Sequence, residues 1–113
     1  MRRLEAGRAY QSAARQRGWR DQEADVFRYV NAMLRGSQTT GGIDLSRALA
    51  NNERLWITLL DTMRDPGNAL PLPLRASIIS VGLAVQREAA RPEPDVAFLL
   101  GINDQLAAGL SGE

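Results

Sequence analysis

From Leu45 to Met63 the apolar residues Leu45, Ala48, Leu49, Leu55, Trp56, Leu59, Leu60 and Met63 return at the spacing of one α-helical face. Arg47, Arg54, Asp61 and Arg64 fall off that row. Asp44 stands ahead of it, where an Asp can cap a helix. Three more segments carry helical patterns. Val26, Phe27, Val30, Met33 and Leu34 form one stripe over about 21–35, with Asp21 and Glu23 at its start. Leu74, Ile78, Ile79, Val81, Leu83, Ala84 and Val85 cover more than one face of a segment opened by Pro71 and Pro73. Val96, Leu99, Leu100, Leu106, Ala107 and Leu110 make the last row, with Pro94 suited to its first turn and Gly109 or Gly112 to its end. A weaker Ala/Arg pattern spans about Leu4–Gln16 and stops at Gly18. No segment reads as a strand. The expected fold is all-α, a small bundle of four to five helices in one domain over residues 1–113.

The breakers divide the chain in the same way. The stretch 36–43, with Gly36, Ser37, Gln38, Thr39, Thr40, Gly41 and Gly42, reads as a flexible loop. Asp65-Pro66-Gly67-Asn68 suits a tight turn. Pro92 and Pro94 break the chain once more.

Composition bears on chemistry. The 113 residues contain neither Cys nor His. Disulfides, thiolate nucleophiles, imidazole bases and the usual zinc ligand sets are excluded together. Ser77 and Ser80 have no Lys or His base, and Asp61 and Asp65 read as a solvated pair rather than a split acid pair. Gly41-Gly42 lacks the Lys-Ser/Thr of a phosphate loop. No catalytic, cofactor or metal site is expected. Neither a secretory apolar run nor a membrane-length span stands out, so a soluble cytoplasmic protein without membrane insertion is expected.

All 14 basic residues are Arg, and they are unevenly placed. Residues 1–20 carry six Arg against Glu5, or +5, and the remainder carries eight Arg against twelve acids, or −4. An Arg-rich N-terminal helix follows, either simply solvated or able to meet an anionic partner such as RNA. Trp19, between Arg17 and Arg20, suits either base stacking or packing onto the bundle. Tyr29 lies at the edge of its stripe and is expected half exposed.

Two apolar rows each hold one amide. Asn52 falls between Leu49 and Trp56, and Asn103 between Leu99 and Leu106. A buried amide without a partner costs about 1–3 kcal/mol. Both are therefore expected inside the bundle, bonded to each other or to loop backbone, where they fix helix register. Gly82, in the middle of a helical segment, points to close approach by a neighbour.

Several of these stretches, in this order, resemble the FlaF family of flagellar biosynthesis regulators. The run Leu49-Ala50-Asn51-Asn52-Glu53-Arg54-Leu55-Trp56 is similar to its Asn-x-x-Leu-Trp helix, and Asp65-Pro66-Gly67-Asn68-Ala69-Leu70-Pro71 to its turn. Leu74–Val81 resembles its central helix, Ile102-Asn103 with Ala107–Leu110 its closing helix, and Ala9-Tyr10-Gln11 its opening. Ala84-Val85 stands where the family more often has Phe-Val.

The resemblance implies a small cytoplasmic protein that promotes flagellin production and export, as a flagellin chaperone or regulator, alongside the companion protein FlbT. It brings no catalytic residues. A chaperone for amphipathic flagellin termini needs an apolar groove that accepts a helix. The two-sided segment 73–90 is the expected groove wall, with Trp56, Ile78, Ile79 and Leu83 as the expected partner-binding residues. The alternative is an RNA-binding or FlbT-binding post-transcriptional regulator acting through the Arg-rich segment.

Overall fold

The computed structural model describes residues 2–112, with side chains from Arg20 onward. Four helices follow one another: α1 (Arg2–Thr40), α2 (Gly42–Arg64), α3 (Leu72–Ala89) and α4 (Val96–Ser111). There is no strand among the described residues. The chain is a small helical bundle, elongated to 60 × 22 × 21 Å. Its long axis matches α1, since a 39-residue helix is about 58 Å long.

α1 is one helix where two were expected. It passes through Gly18 without a break. An interior Gly costs about 1 kcal/mol against Ala, which the packing of Ala24, Phe27, Val30 and Leu34 in the core can offset. The expected loop at 36–43 is likewise helical as far as Thr40. Its hydroxyls bond back into the helix: Ser37 Oγ donates to the Leu34 carbonyl at 2.7 Å, and Thr39 and Thr40 donate to Gly36. Polar residues that satisfy themselves locally can stay in a helix, which a reading of polarity as loop overlooks. The real break is Gly41-Gly42, at φ 60° and 53°, where a side chain would be strained.

Caps set the remaining boundaries. Gly41, not Asp44, is the N-cap of α2; Asp44 lies in the first turn, where it favours the helix dipole. α4 begins after Pro94 rather than on it, because Asp95 is the N-cap and its carboxylate accepts the Phe98 amide at 3.1 Å. Gly112, at φ 80°, ends α4.

The helices run up, down, up and down. α1 packs against both α2 and α4, and α3 packs against α2. Arg28 reaches Ser111, and Arg35 pairs with Asp104, so α1 and α4 are antiparallel. Phe27 meets Trp56 edge to face with ring centroids 5.5 Å apart, at the centre of the α1–α2 contact. α3 lies close to α2 because Gly82 has no side chain: a Cβ there would stand 2.6 Å from Leu60 Cδ2 and 3.1 Å from Trp56 Cε3.

Candidate functional site

Four features could carry function: a buried polar network, the turn between α2 and α3, the outward face of α3, and a groove along α1 and α2.

The network joins α1, α2 and α4. Trp56 Nε1 donates to Asn103 Oδ1 at 2.9 Å. Asn103 Nδ2 donates to Asn52 Oδ1 at 2.7 Å and to Asn31 Oδ1 at 3.0 Å. Asn31 Nδ2 donates onward to the Leu100 carbonyl and to Asp104 Oδ1, whose other oxygen accepts from Arg35. The indole fixes the direction of the whole chain. It can only donate, so Asn103 must turn its oxygen toward Trp56 and its two N–H groups toward the other amides. Asn31, Asn52 and Asn103 are each fully or almost fully buried. Asn52 and Asn103 thus lie inside and bonded to each other. Asn31 was missed by sequence reasoning, although it stands on the same row as Phe27 and Leu34. Asn52 Nδ2 is buried and has no hydrogen-bond partner. The network ties three helices in register and exposes no reactive atom.

The turn is a cap for α2. Asp65 Oδ1 accepts the Gly67 amide at 2.9 Å. Asn68 Nδ2 donates to the Thr62 carbonyl at 2.9 Å, and Asn68 Oδ1 accepts the Leu70 amide at 2.8 Å. Arg75, one turn into α3, donates to the carbonyls of Asp65 and Met63. A guanidinium on the last carbonyls of α2 offsets the negative end of its dipole.

The expected groove residues divide between core and surface. Trp56 and Ile78 are buried in the core, so neither is available to a partner. Trp56 is held there by Phe27, Gly82 and Asn103, and Ile78 lies on the α3 row that meets α2. Ile79 is half-buried against the core, and Leu83 is 39% exposed. Leu72, Leu74 and Val81 of α3 are also exposed, as is Ile57 of α2. The antiparallel register that sets Gly82 between Trp56 and Leu60 brings Ile57 level with Leu83. The row between these apolar residues is small, with Ala76, Ser77 and Ser80 exposed and Ala84 partly so. Ser77 Oγ donates to the Pro73 carbonyl at 3.0 Å and so presents little polarity. Charge is sparse on α3: between Asp65 and Arg87 the one charged residue is Arg75, which is turned onto α2, and exposed Arg87 closes the outward row one turn after Leu83.

A second surface lies along α1 and α2. An open groove of about 390 Å³ there is lined by Glu23, Val26, Tyr29, Asn51, Arg54 and Leu55 among others. Burial pushes the Glu23 carboxyl above its ordinary range. Tyr29 is 67% exposed, more than its place beside the stripe suggested. The side chains of Trp19 and of the Arg-rich segment before it lie outside the described residues.

Among the described residues no cluster of carboxylates could hold a metal ion, and no helix is long and apolar enough to cross a membrane. No curated protein and no solved structure matches the chain. The family model described as flagellar protein FlaF matches residues 6–110, nearly the whole length. Motif by motif, Asn52 and Trp56, the Asp65–Pro71 turn and Asn103 have now acquired structural duties in a four-helix bundle, and with that match over their full span the chain belongs to the FlaF family of flagellar proteins.

Proposed function

We propose that this protein is a non-enzymatic, cytoplasmic regulator of flagellum biosynthesis that binds flagellin as a chaperone and promotes its synthesis and export. Membership of the FlaF family supports the flagellar role. The observation that carries the chaperone reading is the outward side of α3, where Leu72 and Leu83 on one flank and Leu74 and Val81 on the other stand in solvent. Large apolar side chains left exposed along one helix of a folded protein mark a surface that a partner can cover. Amphipathic helices that await assembly are the natural cargo for such a surface.

Titration of the protein with flagellin, and with flagellin truncated at each terminus, tests the reading. Binding that survives moderate salt and disappears with one terminus is expected. Absence of binding at both low and moderate salt overturns it. It would then favour the regulator acting on RNA or through FlbT, for which the +5 charge of residues 1–20 is the supporting feature.

A further inference from the structure

The geometry points to α3 as a hinged flap: the segment between Pro71 and Pro94 swings off α2 as one unit, while α1, α2 and α4 stay folded together. The motion is a property of the chain alone, independent of what the protein binds.

The buried bonds divide the helices unequally. The network of Asn31, Asn52, Trp56 and Asn103 ties α1, α2 and α4 and leaves α3 out. Among the described residues α3 packs onto α2, with no comparable contact to α1 or α4. Of its 18 residues it buries Ile78, Gly82 and Val85, whereas α4, with 16, buries five. Both flanks of α3 are in solvent, at Leu72 and Leu83 and at Leu74 and Val81, so opening strips only the row on α2. An element with few buried groups opens at lower free energy than the body that carries it.

Arg75 is the latch, and it fits imperfectly. Among the described residues it is the one α3 side chain that bonds to α2 and its cap. Its Nη1 donates to the Asp65 carbonyl at 3.1 Å and to the Met63 carbonyl at 3.4 Å. Its Nε is buried without a hydrogen-bond partner. A buried N–H left unpaired is penalised, and swinging out returns it to water. That relief narrows the gap between the closed and open states.

The two ends permit the swing. At the first, Asn68 fastens the turn to the Thr62 carbonyl and Leu70 is buried, so the chain is held that far and pivots at Pro71. At the second, Asp95 is fixed to α4 as its cap, and the connector before it carries Pro92 and Pro94. The side-chain bonds there run from Glu88 to Arg91 and to the Asp95 amide, within the connector itself. Opening uncovers the parts of Trp56 and Leu60 that lie against Gly82.

Native-state hydrogen exchange on the full chain, followed amide by amide at rising urea below the unfolding transition, tests the flap. Relative to their unfolded-chain rates, the amides of residues 76–89 should exchange at least about tenfold faster than the slowest amides of α2 and α4. They should share one opening constant, with a shallower urea dependence, because opening α3 exposes less surface than unfolding the body. Two variants separate flap from body. Asn103→Leu weakens the network equally in the closed and open states, so it should speed the slow α2 and α4 amides and leave α3 within about twofold. Gly82→Ala should speed α3 by at least about threefold, since the added Cβ meets Leu60 and Trp56 only while α3 is closed. Equal rates and equal urea slopes in α2, α3 and α4 would make the bundle one cooperative unit and overturn the flap. So would opening constants that grade along α3 toward Ala89, which is fraying, or an α3 that Asn103→Leu speeds as much as α4. Should Asn103→Leu fail to fold, the rates and slopes of the unaltered chain decide.

Discussion

Trp56 donates its indole N–H to Asn103 Oδ1 across 2.9 Å in the middle of the bundle, and that bond determines which way each buried amide points. The two amides foreseen in the helix rows are therefore not equivalent. Asn103 makes three bonds through its two polar atoms, whereas Asn52 makes one through Oδ1 and leaves Nδ2 without a partner. Asn103→Leu strands the indole N–H, Asn31 Oδ1 and Asn52 Oδ1. It should cost about 2–4 kcal/mol. Asn52→Leu removes an unpaired N–H group while stranding one N–H of Asn103, and should cost about 1 kcal/mol or less. Urea denaturation of the two variants measures the difference, and equal losses would contradict this orientation of the network.

Gly82 and Gly101 should respond in opposite senses to Ala. A Cβ at Gly82 falls 2.6 Å from Leu60 Cδ2 and 3.1 Å from Trp56 Cε3, inside a packed core. Pushing α3 away from α2 should cost about 1–3 kcal/mol, more than the roughly 1 kcal/mol gained in helix propensity. Nothing lies within 4 Å of a Cβ at Gly101. There the propensity gain stands alone, and Gly101→Ala should stabilise by about 0.5–1 kcal/mol. Thermal melts of both variants settle the signs.

These two cases also show what the sequence could reveal. Asn52, Asn103 and Gly82 were legible because each interrupts a strong apolar row, and an interruption in a buried row needs a partner or a close neighbour. The helical fold was legible for the same reason. The length of α1 was not, since the Ser37, Thr39 and Thr40 hydroxyls are satisfied by carbonyls of their own helix and so only imitate a loop. Nor could periodicity alone separate core from surface on α3. Ile78 and Leu83 are alike in composition and differ only in which side meets α2. The sparse charge from Pro66 to Gln86, where Arg75 stands alone, is a further sequence signal for the outward side.

Asn68 closes the α2–α3 turn with both ends of its amide, on the Thr62 carbonyl and the Leu70 amide. Asn68→Ala removes both bonds at once and should cost about 1–2 kcal/mol. Asn68→Asp keeps the acceptor for Leu70 but sets a carboxylate beside the Thr62 carbonyl, so it should recover only part of the loss. Hydrogen exchange at the Leu70 amide reports the local effect: faster in Asn68→Ala, near the parent rate in Asn68→Asp.

Glu23 gives the protein a pH dependence with a defined sign. Its carboxyl is partly withdrawn from water beside the α1–α2 groove, and burial raises its pKa above the ordinary 4.5. The folded chain therefore binds the proton more tightly than the unfolded chain does. Stability attributable to this group is greatest when both states are protonated. It falls as pH rises through the window between the unfolded and folded pKa values, and stays at the lower level above it. Glu23→Gln takes away the charge that burial penalises. The variant should melt higher than the parent at pH 7 and match it more closely near pH 4, so the difference in Tm should shrink as pH falls. A constant difference across that range would show that Glu23 ionises as freely in the bundle as in the unfolded chain.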